Sequence, residues 1–245
     1  MTFGGTSLAG AGLQAGKDLA KSKDKAEKSA ANARLARKDG TWTFAVGTDA
    51  GYAAFSVTVK KGKGKLTGTL PDGTKVSVSS QGILGDKALA IPFAYSKKGV
   101  LGFVFWVNDD GTTSISDLTA LKLANGTTLA VKEQVAPSAA LKLADGTRTF
   151  TVSGIGVIQA FAVAGRKWTL PKHVKKPTEE KPDLNPSDVK LKFTEKTGIV
   201  KGTFSVPNPA TGKAVKYTVN GVVIGDKLYG AAFMKGGTPV TCEAE

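Results

Sequence analysis

The chain has 245 residues, of which 41% are hydrophobic and 22% charged, and its formal net charge is +14. This composition is ordinary for a globular protein and allows a sizeable core. The single cysteine, Cys242, excludes an internal disulfide and a cysteine metal cluster. No apolar run approaches the roughly 18 residues that a membrane-spanning helix needs. Thirty glycines, with many Thr and Val residues, favour turn-rich β-structure over helices.

Residues 1–39 form a basic arm that is rich in Ala and Lys. From Lys17 to Lys38 the arm contains good helix formers and no Gly or Pro. Its only large apolar residues are Leu19 and Leu35, so it lacks a continuous apolar face. We expect a helical or disordered arm that is solvated, with a basic arm for anionic partners as the alternative.

From Thr41 the pattern changes to short β-runs between turn signals. Period-two alternation is clear in the stretch from Phe55 to Val59, whereas the run from Leu101 to Val107 is apolar throughout and should be buried on both faces or lie at a domain contact. The predicted strands are Trp42–Val46, Ala53–Lys60, Leu66–Leu70, Lys75–Leu84, Ala88–Tyr95, Val100–Val107 and Ser114–Leu123.

Asp or Asn precedes Gly at four turn candidates. Such pairs readily adopt the positive φ angles of a type I′ turn, so each predicts a hairpin. The four are Asp72-Gly-Thr, Asp110-Gly-Thr, Asn125-Gly-Thr and Asp145-Gly-Thr.

Two motifs recur in the same order. Gly64-Lys-Leu-Thr-Gly-Thr-Leu70 matches Gly198-Ile-Val-Lys-Gly-Thr-Phe204, 134 residues further on. Gln81-Gly-Ile-Leu-Gly-Asp-Lys matches Asn220-Gly-Val-Val-Ile-Gly-Asp-Lys, 139 residues further on, with one residue shifted. Nearly constant spacing predicts an internal duplication of one β unit.

The second unit carries an insertion, 171–188, with four prolines among Lys and Glu, which predicts an exposed extended loop. Its predicted strands are Thr147–Ser153, Val157–Val163, Val189–Thr194, Ile199–Val206, Lys213–Ile224, Lys227–Met234 and Pro239–Cys242. We therefore predict an all-β protein with two homologous antiparallel units, 40–135 and 136–245. Each is a small barrel or sandwich.

The segment Phe193-Thr-Glu-Lys-Thr-Gly-Ile-Val-Lys-Gly-Thr-Phe204 resembles a pattern near the C-termini of large secreted proteins from Verrucomicrobiota, Lentisphaerota and related bacteria. In those proteins it precedes a Gly-Val-x-x strand and a Gly-rich strand, matched here by Gly221-Val-Val-Ile224 and Tyr229-Gly-Ala-Ala-Phe233. The resemblance covers 189–242 well and 53–98 more weakly. It implies a repeated β module of cell-surface proteins with no settled activity, and it reports fold rather than a site.

Candidates for catalysis are few. His173, the only histidine, lies in the proline-rich insertion, where the sequence offers nothing to orient it. Asp109 and Asp110 form one carboxylate pair, but they belong to a turn. Glu179-Glu180 lies in the insertion, and Asp86 and Asp226 occupy matching turns of the two units. We predict no enzymatic activity and no cofactor or metal.

Binding has two sets of candidates. Trp42, Trp106 and Trp168 could stack on sugar rings, with packing in the core as the alternative. The lysine-rich turn of Lys60, Lys61 and Lys63 could hold a sulfate, a phosphate or a sialic acid, with a solvated hairpin tip as the alternative. This turn has no interleaved aromatic residues, so we predict no specific nucleic-acid binding.

The first function hypothesis is a non-catalytic β module that binds a glycan or a host or matrix protein at the cell surface. The alternative is a structural spacer or anchoring domain with no small ligand. The first residues, Met1-Thr-Phe-Gly-Gly-Thr, lack the features of a signal peptide. We therefore expect a fragment of a longer bacterial protein that is extracellular or attached to the cell surface.

Overall fold

The computed structural model describes residues 2–3, 6–7, 21–96, 101–139, 142–208, 210–234 and 237–245. The protein is all-β, and the described residues contain one α-helix of three turns, α1 (Lys25–Ala36). The strands of the N-terminal half are β1 (Thr2–Phe3), β2 (Thr6–Ser7), β3 (Gly40–Thr48), β4 (Gly51–Lys60), β5 (Lys63–Thr69), β6 (Lys75–Gln81), β7 (Ile83–Leu84), β8 (Ala88–Tyr95), β9 (Leu101–Asn108), β10 (Thr113–Ile115), β11 (Ala120–Lys122) and β12 (Thr128–Ser138).

The C-terminal half contains a second set of antiparallel strands. They are β13 (Gly146–Val152), β14 (Val157–Ala164), β15 (Lys167–Thr169), β16 (Lys190–Thr194), β17 (Ile199–Pro207), β18 (Ala214–Ile224), β19 (Lys227–Phe233) and β20 (Val240–Ala244). A single 3-10 turn, Glu195–Thr197, links β16 to β17. The all-β prediction is confirmed, and each predicted strand overlaps an observed one. Four strands were not predicted. Two of them, β1 and β2, are two residues long and lie in the arm. Of the others, β15 is only three residues long, and β12 contains charged residues and Pro137.

The first unit is barrel-like. One sheet has the order β11-β12-β3-β4-β5-β6, and the chain passes at Gly82 into the second, β7-β8-β9-β10. The strand β6 packs beside β8 and β10 beside β12, so the two sheets enclose one core. Phe44, Phe55 and Phe103 lie at its centre with no exposed surface. Alternation along each strand sends these side chains inward and leaves the polar ones outside.

The second unit is a single eight-stranded sheet in the order β15-β14-β13-β20-β19-β18-β17-β16. Its end strands β15 and β16 lie side by side, and the rings of Trp168 and Phe193 stack across them at 5.1 Å between centroids. The sheet therefore curls into a barrel-like form that its own side chains close. Its buried core includes Phe150, Phe161 and Phe204.

The four Asp-Gly and Asn-Gly pairs do not form type I′ turns. Gly73 has φ +86°, but the preceding Asp72 is not in the positive-φ region, and Gly73 N donates to Leu70 O at 2.9 Å. This is a type I turn followed by a left-handed glycine, and Asp72 Oδ1 accepts the Thr74 N–H. The Asp110 and Asn125 turns repeat this pattern. All three join hairpin strands, whereas the Asp145 pair precedes β13 without a hairpin.

The matched glycines of the two repeat motifs, Gly68 and Gly202, are placed alike. A side chain on Gly68 would collide with the carbonyl oxygen of Ala54, and one on Gly202 with that of Lys190. A second correspondence runs at a spacing of 106 residues, where Gly40-Thr-Trp-Thr-Phe-Ala-Val46 opens the first unit and Gly146-Thr-Arg-Thr-Phe-Thr-Val152 opens the second. Both segments are the first strand of their unit. The internal duplication itself stays a prediction.

Helix α1 is not a solvated linker. Asp24 caps its start by accepting the N–H groups of Ala26 and Glu27, while Ala31 and Leu35 are buried in the core of the first unit. Lys38 follows the helix with only 3% of its side chain exposed. The sequence pattern did not predict this docking, because only Ala31, Leu35 and the buried stem of Lys38 hold the helix, and they form no continuous apolar stripe.

No helix among the described residues has the length and apolarity to cross a membrane. The residues of the arm before 21 lie outside the described part, apart from 2–3 and 6–7.

The two units pack against each other through the outer faces of β3, β4 and β18. Ala45 and Ala54 form a buried cluster with Val222 and Ile224. At the edge of this cluster the ring of Tyr52 meets that of Tyr229 edge-on at 5.1 Å. The strand β12, which runs through the predicted unit boundary at 135, pairs with β3 up to Ser138.

Candidate functional site

A groove of about 560 Å³ lies where the outer faces of the two units diverge. The first unit supplies residues of β5 and β6, and the second supplies residues of β17 and β18. Its lining residues are Ala54, Thr67, Gly68, Thr69, Gly73, Lys75, Val76, Ser77, Ile199, Lys201, Thr218, Asn220, Gly221 and Phe233.

The groove walls are mostly apolar, and strand alternation adds polar side chains to them. On β5 and β6 the side chains of Leu66 and Val76 point into the barrel. The residues that follow them, Thr67 and Ser77, lie opposite each other and therefore point outward. On β18, Val219 is buried and Thr218 and Asn220 face outward in the same way. Each wall therefore presents hydroxyl and amide groups to the groove.

One end of the groove is an inter-unit contact. Gly73, with φ +86°, lies directly beneath the ring of Phe233, so closely that a methyl group on this residue would collide with the ring. The turn thus needs glycine both for its backbone angle and for its contact. Half-buried Phe233 is the aromatic side chain that lines the groove.

The groove is basic. Lys75 and Lys201 are exposed on opposite walls, and none of the lining residues is acidic. Carboxylates lie elsewhere at the junction of the units, where Tyr52 donates its hydroxyl to Glu133 at 2.8 Å. Burial, followed by this hydrogen bond and by the charges of Glu133 and Glu243, raises the pKa of Tyr52 above its usual value.

The three tryptophans predicted to bind sugar do not meet at one site. Trp42 packs against the core of the first unit, 5.8 Å from Phe105 between ring centroids, and Trp168 closes the second barrel. Trp106 is half-buried on β9 between the inward side chains of Phe105 and Val107. None of the three lines the groove.

The predicted lysine turn lies at the helix end of the first unit. Lys61 (φ +49°) and Gly62 (φ +75°) form the left-handed pair that joins β4 to β5, as a type I′ turn requires. Asp39 accepts the Lys61 N–H at 2.7 Å, and Leu35 of α1 packs on Gly62. The side chains of Lys60, Lys61 and Lys63 remain exposed. The structure therefore places the lysine turn next to the end of the basic arm, although the two segments are separate in the sequence.

The insertion is more ordered than its prolines indicate. The buried amide of Asn185 donates to Pro171 O at 2.9 Å and Val189 O at 3.0 Å, and accepts the Val189 N–H at 2.7 Å. His173, expected to have nothing to orient it, lies 2.6 Å from Asp183. Burial raises the pKa of Asp183, but hydrogen bonds from Asn185, Val174 and His173 outweigh it and the pKa lies below its usual value.

An open pocket of about 450 Å³ lies beside this network, lined in part by Lys172, Lys175 and Lys190. Lys190 is paired with Asp188 at 2.7 Å. The polar groups of the loop are thus occupied mainly in holding the loop itself.

Three of the carboxylates considered for catalysis, Asp109, Asp110 and Asp226, have structural partners. Asp109 binds Arg34 at 2.6 Å and Lys38 at 2.7 Å, while Asp110 accepts both the N–H and the hydroxyl of Thr112. Asp226 binds Arg148 and accepts the N–H of Ala144. Within the described ranges, no cluster of three or more His, Cys, Asp or Glu could hold a metal ion.

Comparisons with protein-family models, with curated proteins and with solved structures give no match to this chain. The fold and the groove therefore define the class as a two-unit, barrel-like all-β protein with a basic groove at the junction of its units.

Proposed function

We propose that the chain is a non-catalytic binding module of a bacterial secreted or cell-surface protein, and that the groove between its units holds a glycan. The groove carries the proposal, because it is a concave surface to which both units contribute polar side chains: hydroxyl, amide and lysine groups. Sugar hydroxyls need hydrogen-bond partners of these kinds, and a nearby aromatic ring such as Phe233 offers a face for stacking.

Further support comes from what the carboxylates do. Asp109, Asp110 and Asp226 are held by cations or backbone groups, so they stabilise the fold rather than converge on the groove. The resemblance of 189–242 to repeated modules of large secreted proteins supports the proposed location. A structural spacer is the competing function, and the experiment below separates the two.

The test is binding of the purified full chain to a panel of neutral and anionic glycans, at low and at physiological salt. The variant Thr218→Trp fills the groove from an exposed strand position. Its matched control is Thr151→Trp, which places the same side chain at an exposed position of β13 outside the groove. We expect binding at physiological salt, a loss of about tenfold or more in Thr218→Trp, and little change in the control.

Binding that is absent at both salt concentrations would overturn the proposal in favour of the spacer. Equal losses in Thr218→Trp and Thr151→Trp would remove the groove as the site. Binding that disappears at physiological salt would be general attraction by a chain of net charge +14, and would equally contradict a glycan site.

A further inference from the structure

The groove continues as a polar track along the outer faces of both units. On the first unit, outward residues of β5 and β6 pair across the strands from the groove toward the lysine turn. The successive pairs are Thr69 with Lys75, Thr67 with Ser77, Lys65 with Ser79 and Lys63 with Gln81. At about 3.3 Å per residue, the six steps from Thr69 to Lys63 make the track about 20 Å long.

The second unit mirrors this arrangement. Outward residues of β16 and β17 place Lys192 opposite Lys201, and Lys201 is in turn opposite Asn220 of β18. Farther along β18, Lys216 lies opposite Ser205. Lysines and hydroxyl or amide groups thus alternate on both walls.

The five strands that carry these walls contain no Asp or Glu. Their lysines are Lys63, Lys65, Lys75, Lys190, Lys192, Lys201 and Lys216. Of these, Lys190 has an ion-pair partner, Asp188. These strands therefore carry seven of the chain's 34 Lys and Arg residues and none of its Asp or Glu. Glu133 and Glu243 lie near Tyr52.

Two pairs of lysines face each other directly across neighbouring strands. Lys60 lies opposite Lys63 on the first unit, and Lys192 lies opposite Lys201 on the second. Like charges in directly opposed positions destabilise a sheet. A bound anion would convert each repulsive pair into a binding site for one negative group.

We infer, on the basis of the proposed groove function, that the ligand is a linear anionic polysaccharide, whose sulfate or carboxylate groups meet the lysines of both walls. Its hydroxyls bond to Thr67, Ser77 and Thr218 within the groove. The track has no aromatic side chains between its lysines, whereas single-stranded nucleic acids are held by stacked bases. The polysaccharide is long enough to extend from the groove to the turn at Lys60.

The test compares dextran sulfate with unsubstituted dextran of the same chain length, and with poly(dT) as the nucleic-acid polyanion. The double variant Lys63→Gln/Lys201→Gln removes one lysine from each repulsive pair. Its control, Lys122→Gln/Lys142→Gln, removes the same charge from exposed positions away from the groove. All proteins are the full chain, and thermal unfolding is measured alongside binding.

We expect dextran sulfate to bind, dextran to bind far more weakly, and poly(dT) to bind more weakly than dextran sulfate at physiological salt. The double variant should lower the affinity for dextran sulfate about fivefold or more, which is the size expected for the loss of two exposed charge contacts. The control variant should change this affinity less than about twofold. The melting temperature of Lys63→Gln/Lys201→Gln should be unchanged or higher, because two repulsive pairs are relieved. If these lysines merely stabilised the fold, replacing them would lower the melting temperature.

Equal weakening by the two double variants, or poly(dT) binding as tightly as dextran sulfate, would overturn the inference. Loss of binding in Thr218→Trp with no effect of Lys63→Gln/Lys201→Gln would overturn it while leaving the groove function intact. If no glycan of the panel binds at all, the proposed function fails as well.

Discussion

Replacing Asp109 by Asn should loosen α1 from the first unit. The carboxylate binds two basic residues, Arg34 in the last turn of the helix at 2.6 Å and Lys38 just after it at 2.7 Å. The Lys38 side chain is only 3% exposed and also donates to Val107 O at 2.9 Å. In Asp109→Asn its charge stays buried without a counter-charge, and its remaining acceptors, the Val107 carbonyl and the Asn amide oxygen, are neutral.

The structure sets the size of the effect. Breaking a buried ion pair by removing one partner costs about 3–5 kcal/mol, whereas an exposed pair contributes at most about 1 kcal/mol. Lys38 is a buried partner, but the Asp109 side chain is 44% exposed, so water screens the interaction between them. We therefore expect a loss of about 2 kcal/mol in the free energy of unfolding. For a chain of this length that corresponds to a fall of about 4–8 °C in Tm.

The assay is urea unfolding of Asp109→Asn, Lys38→Met and the double variant, together with hydrogen exchange of the α1 amides. In the Lys38→Met background no buried charge remains, so Asp109→Asn should cost less than about 1 kcal/mol. Equal costs in the two backgrounds, or a loss below about 0.5 kcal/mol in the single variant, would refute the reasoning.

The pH dependence of this difference has a definite sign. Partial burial raises the pKa of Asp109, but the hydrogen bonds and charges of Lys38 and Arg34 outweigh it and the pKa lies below its usual value. The stabilisation is therefore fully present above the unfolded-state pKa of about 3.9. It is lost as the pH falls through the lower folded-state pKa. The gap between the wild type and Asp109→Asn should close in that acidic range.

Two further predictions concern the unit interface and the core. Gly51→Ala should destabilise the protein more than Gly111→Ala. Both glycines have positive φ, at +98° and +84°, so the backbone strain is similar. An added methyl group at Gly51 would lie 2.9 Å from the Ala231 side chain, whereas nothing lies within 4 Å of one at Gly111. We expect the difference in the free energy of unfolding to be about 1–3 kcal/mol, and equal melting temperatures would contradict the interface contact. Cys242 is fully buried, and burial raises the pKa of its thiol, so it should react with an aromatic disulfide reagent only as the chain unfolds. Rapid labelling of the native protein at neutral pH, unaffected by mild urea, would show that the second core is open.

Much of the fold follows from local pattern. The stretch from Phe55 to Val59 alternates because one face of β4 lies in a core, and the strand predicted there is observed. The Asp72 and Asn125 turns were located but given the wrong type, because an Asp or Asn side chain that accepts the N–H two residues on favours a type I turn. A helical or disordered arm was expected where α1 lies. Its docking was not expected, because Leu35 and the buried stem of Lys38 leave little trace in the hydrophobic periodicity of the sequence.

The basic turn of Lys60, Lys61 and Lys63 was visible in the sequence because its lysines are neighbours in the chain. The groove was not, since its walls combine strands that lie more than a hundred residues apart, and outward Thr, Ser and Lys side chains alternate in the same way on every solvated strand. The sequence by itself determined which side chains point inward and which point outward, because strand geometry has period two. Only the tertiary structure decided which outward faces meet, because the packing of Ala45 and Ala54 against Val222 and Ile224 sets the two basic walls side by side.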